Sequence, residues 1–205
     1  TGSFTKNGSG SVEIDRDDTA FTGNTAVMAG ALSVDGSLAN SSVSVSSDAT
    51  LSGTGTVGST IIELGGTLSP AGSNNVGTLN INGNLNMVKG TTLSANGTGQ
   101  LTGSTLIVNN KSYQQLNSDL VEVYGSAILS GGTVNFQVTD GVSLKYGQVY
   151  RLVSTANGVT GRYDALVTNL KNNYTFISPS LVYTGNDVDL LLQRNNTSFS
   201  SVGDT

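Results

Sequence analysis

The chain has 205 residues and a formal net charge of −5, with only 36% apolar and 11% charged residues; that length allows one large domain, or one solenoid with an end piece. It holds no cysteine and no histidine, which excludes disulfides, thiolate metal sites and a Ser-His-Asp triad from these residues. The few Lys and Arg are scattered, so no basic cluster exists to hold a nucleic-acid backbone and no nucleic-acid partner is expected.

The start, Thr1-Gly2-Ser3-Phe4-Thr5-Lys6, lacks the apolar core of a signal peptide, and the stretch is expected to be cut from a longer precursor and to be soluble. Asn7-Gly8 and Ser9-Gly10 form a turn before a strand in which Val12 and Ile14 alternate with polar residues. From Val27 to Val108 a phrase recurs, a leucine set in alternating small and Ser/Thr residues. It reads Gly30-Ala31-Leu32-Ser33-Val34, Ala49-Thr50-Leu51-Ser52-Gly53, Gly66-Thr67-Leu68-Ser69-Pro70 and Gly83-Asn84-Leu85-Asn86-Met87. The four leucines recur at a nearly even spacing. A period of roughly 20 residues is too short for a helical hairpin but suits one coil of a parallel β-helix. The spacing predicts that Leu32, Leu51, Leu68 and Leu85 point inward in successive coils.

Aromatic residues are missing between Phe21 and Tyr113, and all seven tyrosines come from Tyr113 onward. The narrow inside of a coil suits Leu, Val and Ile, whereas clustered rings suit a wider core between two closing sheet faces. Longer strands are predicted near 120–124, 133–138, 149–154, 174–177, 181–184 and 188–193, the last two joined through Gly185-Asn186-Asp187 as a hairpin. A β-helix that simply stops leaves unpaired backbone groups and an open core, so a cover is expected. The expected division is coils over 1–109, a capping segment over 110–193 and a linker over 194–205. The longest apolar runs (Ile61-Ile62, Ala127-Ile128-Leu129, Leu190-Leu191-Leu192) fall far short of the roughly 20 residues that span a bilayer, so no membrane insertion by this segment is expected.

Few residues point to chemistry. Asp15-Arg16-Asp17-Asp18 is the densest acidic group; it has neither the glycine nor the closing glutamate of a calcium loop and reads as a solvated corner. Glu13, Glu63, Asp119 and Glu122 are scattered and none recurs at the coil period, unlike the converging carboxylates of a glycosidase. Tyr146, Tyr150 and Tyr163 read either as an exposed patch or, on the bland view, as filling for the end-piece core. No catalytic, cofactor-binding or metal-ligating residue is assigned, and the chain is expected not to be an enzyme.

The order of these phrases over nearly the whole chain resembles the C-terminal passenger region of bacterial type V autotransporters. Phe4-Thr5-Lys6-Asn7-Gly8-Ser9-Gly10, Phe21-Thr22-Gly23-Asn24-Thr25, Leu51-Ser52-Gly53-Thr54-Gly55-Thr56-Val57-Gly58, Gly77-Thr78-Leu79-Asn80-Ile81-Asn82-Gly83 and Leu181-Val182-Tyr183-Thr184-Gly185-Asn186-Asp187-Val188-Asp189-Leu190 carry the likeness. Residues 101–117 depart from it, as one extra hairpin or coil edge. The resemblance implies an all-β fold, a right-handed parallel β-helix (solenoid) with a C-terminal β-sandwich-like capping or autochaperone segment. It also implies a membrane-proximal stalk that templates folding and surface display of the upstream passenger. Its partners would be that upstream segment and the outer-membrane β-barrel of the same precursor, and its place the bacterial cell surface or the medium. An adhesin or self-association face contacting a host surface ligand or neighbouring cells is the alternative, and an enzyme fragment with its active residues upstream is another.

Overall fold

Side chains of a strand alternate between its two faces, and the leucine phrases form the inward row of a stacked ladder. The computed structural model describes residues 2–73, 75–139, 142–170 and 174–197; the expected linker lies outside the described residues from 198 on. Leu32 pairs in parallel register with Leu51, and Leu51 with Leu68. The column runs on through Leu93 and Val134, and all five are fully buried. Leu85, expected as the fourth member, is buried on another face, between Thr60 and Ala127. The longer connection after Pro70 delays the column, which passes from Leu68 to Leu93, so counting on by the earlier spacing stops one corner short.

Seven rungs follow one another among the described residues. The first is β1 (Phe4–Lys6) and β2 (Ser11–Ile14); the second is β3 (Thr25–Val27), β4 (Gly30–Val34) and β5 (Ser37–Leu38). β6 (Val43–Val45), β7 (Ala49–Gly53) and the start of β8 (Thr56–Ile62) make the third. β8 turns a corner to open the fourth, which continues with β9 (Thr67–Pro70) and the start of β10 (Thr78–Met87). β10 turns the next corner into β11 (Thr92–Val108), its hairpin partner β12 (Lys111–Ser118) and β13 (Leu120–Val123). The sixth rung is β14 (Ala127–Leu129), β15 (Thr133–Val138) and β16 (Gln148–Thr155); the seventh is β17 (Val159–Gly161) and β18 (Ala165–Thr168). Then come β19 (Ile177–Tyr183) and β20 (Asp187–Arg194).

Parallel pairing binds these rungs into three faces. One carries the column Val27, Val45, Ile62, Met87, Leu129; the second carries the leucines; the third carries Leu38, Val57, Ile81, Val123. All are almost completely buried, and at about 25 cal/mol per Å² of apolar area their burial is the main stabilising term. The corners must be tight. At Gly53 the backbone turns with φ +117°, and a Cβ there would lie 2.1 Å from the Val34 carbonyl oxygen, a place for glycine alone.

On the third face the parallel order ends at β16. β20 pairs with it antiparallel, Leu190 opposite Tyr150 and Leu192 opposite Gln148, and β19 pairs antiparallel with β20 along its whole length. The chain is therefore an all-β parallel β-helix with an antiparallel, sandwich-like end segment. The expected 109/110 division falls on the turn of the β11–β12 hairpin, where Asn109 and Asn110 have φ of 50° and 63°. Parallel ladders cross that point, β10 to β13 and β11 to β15.

Candidate functional site: the closed, antiparallel end of the stack

At the closed end Tyr150, Val188, Leu190 and Leu192 point into the main core and are fully buried. The Tyr150 ring sits 4.8 Å from that of Phe136, tilted by 53°, and its hydroxyl donates to the Thr98 carbonyl at 3.0 Å. These two rings belong to the same core that runs through the earlier coils. The turn of the β19–β20 hairpin passes under β17: the Val159 N–H donates to the Gly185 carbonyl, and the Tyr163 N–H to the Tyr183 hydroxyl. The Arg162 guanidinium lies 4.7 Å over the Tyr183 ring, a cation–π contact.

Because strand residues alternate, Val149 and Leu191 face outward from β16 and β20, yet both are buried. Val108 closes over them, with Leu106, Tyr113 and Val182 around it, as a small second core. Residues 101–117, which depart from the resemblance seen in the sequence, thus form a hairpin whose end covers the outer side of β16 and β20.

Two polar devices hold this end. Asp119, fully buried, sits where the hairpin rejoins the third face. Its carboxylate accepts the Gly77 N–H at 2.9 Å, the Asn96 N–H at 2.7 Å and the Asn96 side-chain amide at 3.1 Å. Burial pushes its pKa up to about 6, against these donors, which pull it down. Arg151 pairs with Asp189 at 2.9 Å and Asp187 at 3.0 Å. Burial raises Asp189 above the usual carboxylate range, opposed by the Arg151 guanidinium, and burial likewise raises Glu122 beside them.

In the first rung β1 and β2 pair, among the described residues, with β3 and β4. Phe4, Ile14 and Phe21 are half-buried against the core edge. Lys6 takes the inward position opposite Val27, and its ammonium donates to the carbonyls of Asn7, Gly8 and Ala29 at 2.7–3.1 Å. The terminal rung thus holds an inward cation without leaving it unpaired.

The other residues singled out in the sequence do not converge. Asp15, Arg16, Asp17 and Asp18 are exposed, and the group forms a corner in which Asp17 bridges to Ser37 and the Asp18 N–H donates to the Ser37 carbonyl. Glu13 lies on β2 and Glu63 just after β8, both exposed, whereas Asp119 and Glu122 belong to the third face. Among the described residues no group of three or more acidic side chains is arranged to hold a metal. Of the three tyrosines, Tyr150 and Tyr163 are core, with the Tyr163 hydroxyl against Met87 sulfur. Burial raises both hydroxyls well above their ordinary range, so neither serves as a base near neutral pH. Tyr146 alone is exposed, at the rim of an open hollow of about 730 Å³ lined by Leu144, Tyr174, Phe176 and Ile177.

No family model matches the chain. It is similar over its full length to two extracellular serine proteases of Serratia marcescens, at 31% identity over 212 residues and 27% over 219. The chain spans 18% of the length of each of these relatives. Their being extracellular agrees with the cell-surface or secreted location expected from the sequence. Their being proteases corrects another expectation, that the chain is not an enzyme. That reading rested on the missing histidine, and histidine content speaks for these 205 residues only, whereas the matching proteins are more than five times as long.

Proposed function

We propose that this chain is the β-helix stalk and autochaperone cap of an autotransporter passenger, within a longer extracellular serine protease, and that it templates the folding of the coils that precede it. The observation that carries this reading is the antiparallel end of the stack, where β16, β20 and β19 are packed by an inner and an outer core. In this reading that end folds as a unit, and each earlier coil stacks on it in the parallel register seen between the rungs. A folded edge that grows rung by rung also shortens the time that apolar strands stay exposed. The relatives, extracellular and similar to this chain over its full length, support the passenger part of the reading. A Ser-His-Asp triad, if that is the protease's machinery, would lie in other parts of the protein, since no histidine is present here. The partners are then the preceding passenger and the outer-membrane barrel of the same precursor.

The test uses the full-length precursor. Leu190→Asp together with Leu192→Asp is expected to abolish protease resistance of the displayed passenger far from the substituted strand. Ser44→Lys, on the outer surface of β6, is expected to leave resistance unchanged. Full display of a resistant passenger carrying both aspartates would reject the autochaperone role; loss of cell or ligand binding by the Ser44 variant alone would favour an adhesin surface.

A further inference from the structure

At the cap the third face extends sideways into a five-stranded sheet, in the order β11, β12, β16, β20, β19. Its two edges are treated differently. On β19 stands Pro179, a residue without an N–H that blocks strand addition. The other edge is β11 beyond Gly97. Up to that residue β11 pairs with β15; from 98 to 108 only β12 pairs with it among the described residues. This stretch reads Thr98-Gly99-Gln100-Leu101-Thr102-Gly103-Ser104-Thr105-Leu106-Ile107-Val108, with no charge and no proline. Residues 100–105 and 107 are exposed, Leu101 by 51% and Ile107 by 69%. An uncharged, exposed edge with β-branched residues is a template for another strand.

The backbone faces the right way. Val108 and Lys111 flank the two-residue turn and exchange both backbone bonds, and pairs alternate along an antiparallel ladder. The N–H and C=O groups of Ile107 and Thr105 therefore point away from β12, toward open solvent. The irregular register between Leu101 and Thr105 bends the edge at Gly103 but leaves these two positions free.

We propose that this edge binds a second copy of the same chain by antiparallel strand addition. The occupant follows from the edge itself. It presents no charge for an acidic or basic peptide, although the chain as a whole carries −5, so its natural complement is an equally neutral strand. A two-fold axis near Ser104 sets Leu101 of one copy across from Ile107 of the other, and the same surface serves both copies, as a closed dimer requires. The proposal does not rest on the templating role, which uses the parallel register between the rungs.

Sedimentation velocity of the 205-residue chain over a concentration series tests it. The expected result is a monomer–dimer equilibrium. Thr105→Lys with Ile107→Lys, and separately Ile107→Pro, should weaken it by about tenfold or more while thermal unfolding stays where it was. The charges repel across the axis, and the proline removes an outward N–H without touching the β11–β12 bonds. A parent chain that remains monomeric throughout overturns the proposal, as do folded variants that dimerise as the parent does.

Discussion

Leu93→Asp is expected to unfold the centre of the solenoid, at a cost of about 4–5 kcal/mol or more, because it places a carboxylate in a fully buried column without a partner. Leu93 touches two rungs at once, opposite Leu68 on one side and Val134 on the other, so the damage spreads along the stack. Ile128→Asp is the internal control. The residue lies on β14 and stands half exposed, and a surface change of this kind costs within about 0.5 kcal/mol. Urea unfolding of the two variants beside the parent checks both values. Equal losses would mean that the inward row does not pass through Leu93.

Asp119→Ala should cost about 2–4 kcal/mol, since the buried N–H groups of Gly77 and Asn96 lose their acceptor at about 1–3 kcal/mol each. A pH signature goes with it. The folded pKa is raised to about 6 from the ordinary 3.8, so between these values the folded chain binds more protons than the unfolded one. Stability then falls as pH rises from 3.8 to about 6, and the loss persists above that window. The alanine variant should lack this slope while being less stable throughout. Denaturant midpoints at a series of pH values read both effects. An unchanged slope in the variant would assign the pH dependence to another group.

The repeat was legible where the coils are of nearly equal length. Leu32, Leu51 and Leu68 are almost evenly spaced, and the alternation of small and Ser/Thr residues around them marks which way each points. The fourth member was not, because a coil's period counts residues along its perimeter and the connection after Pro70 is longer; Leu85 kept the spacing and lost the face. Gly185-Asn186-Asp187 announced the final hairpin as turn-forming residues between two apolar runs, and Thr184 and Asp187 close the turn with hydrogen bonds to each other. The outer core was hidden for the opposite reason. Val149 and Leu191 sit in strands buried on both sides, where alternation says nothing about which side is inside, and Val108, at the end of a mostly exposed stretch, is covered only because the hairpin folds over them. Asp119 gave no signal either. Its role comes from donors at 77 and 96 brought to it by the fold, and in the sequence it is one more isolated carboxylate. The proteolytic character of the relatives had no trace to leave in a stretch that is 18% of their length.

Native-state hydrogen exchange on the intact chain tests the central claim, that the antiparallel end of the stack is its most stable part and order spreads from there to the earlier rungs. Amides of β16 and β20, around Tyr150, Leu190 and Leu192, are predicted to exchange only through global unfolding, and those of β1 to β4 through smaller openings, with protection rising steadily from the first rung toward the cap. Stronger protection in β1 to β4 than in β16 and β20 would contradict it.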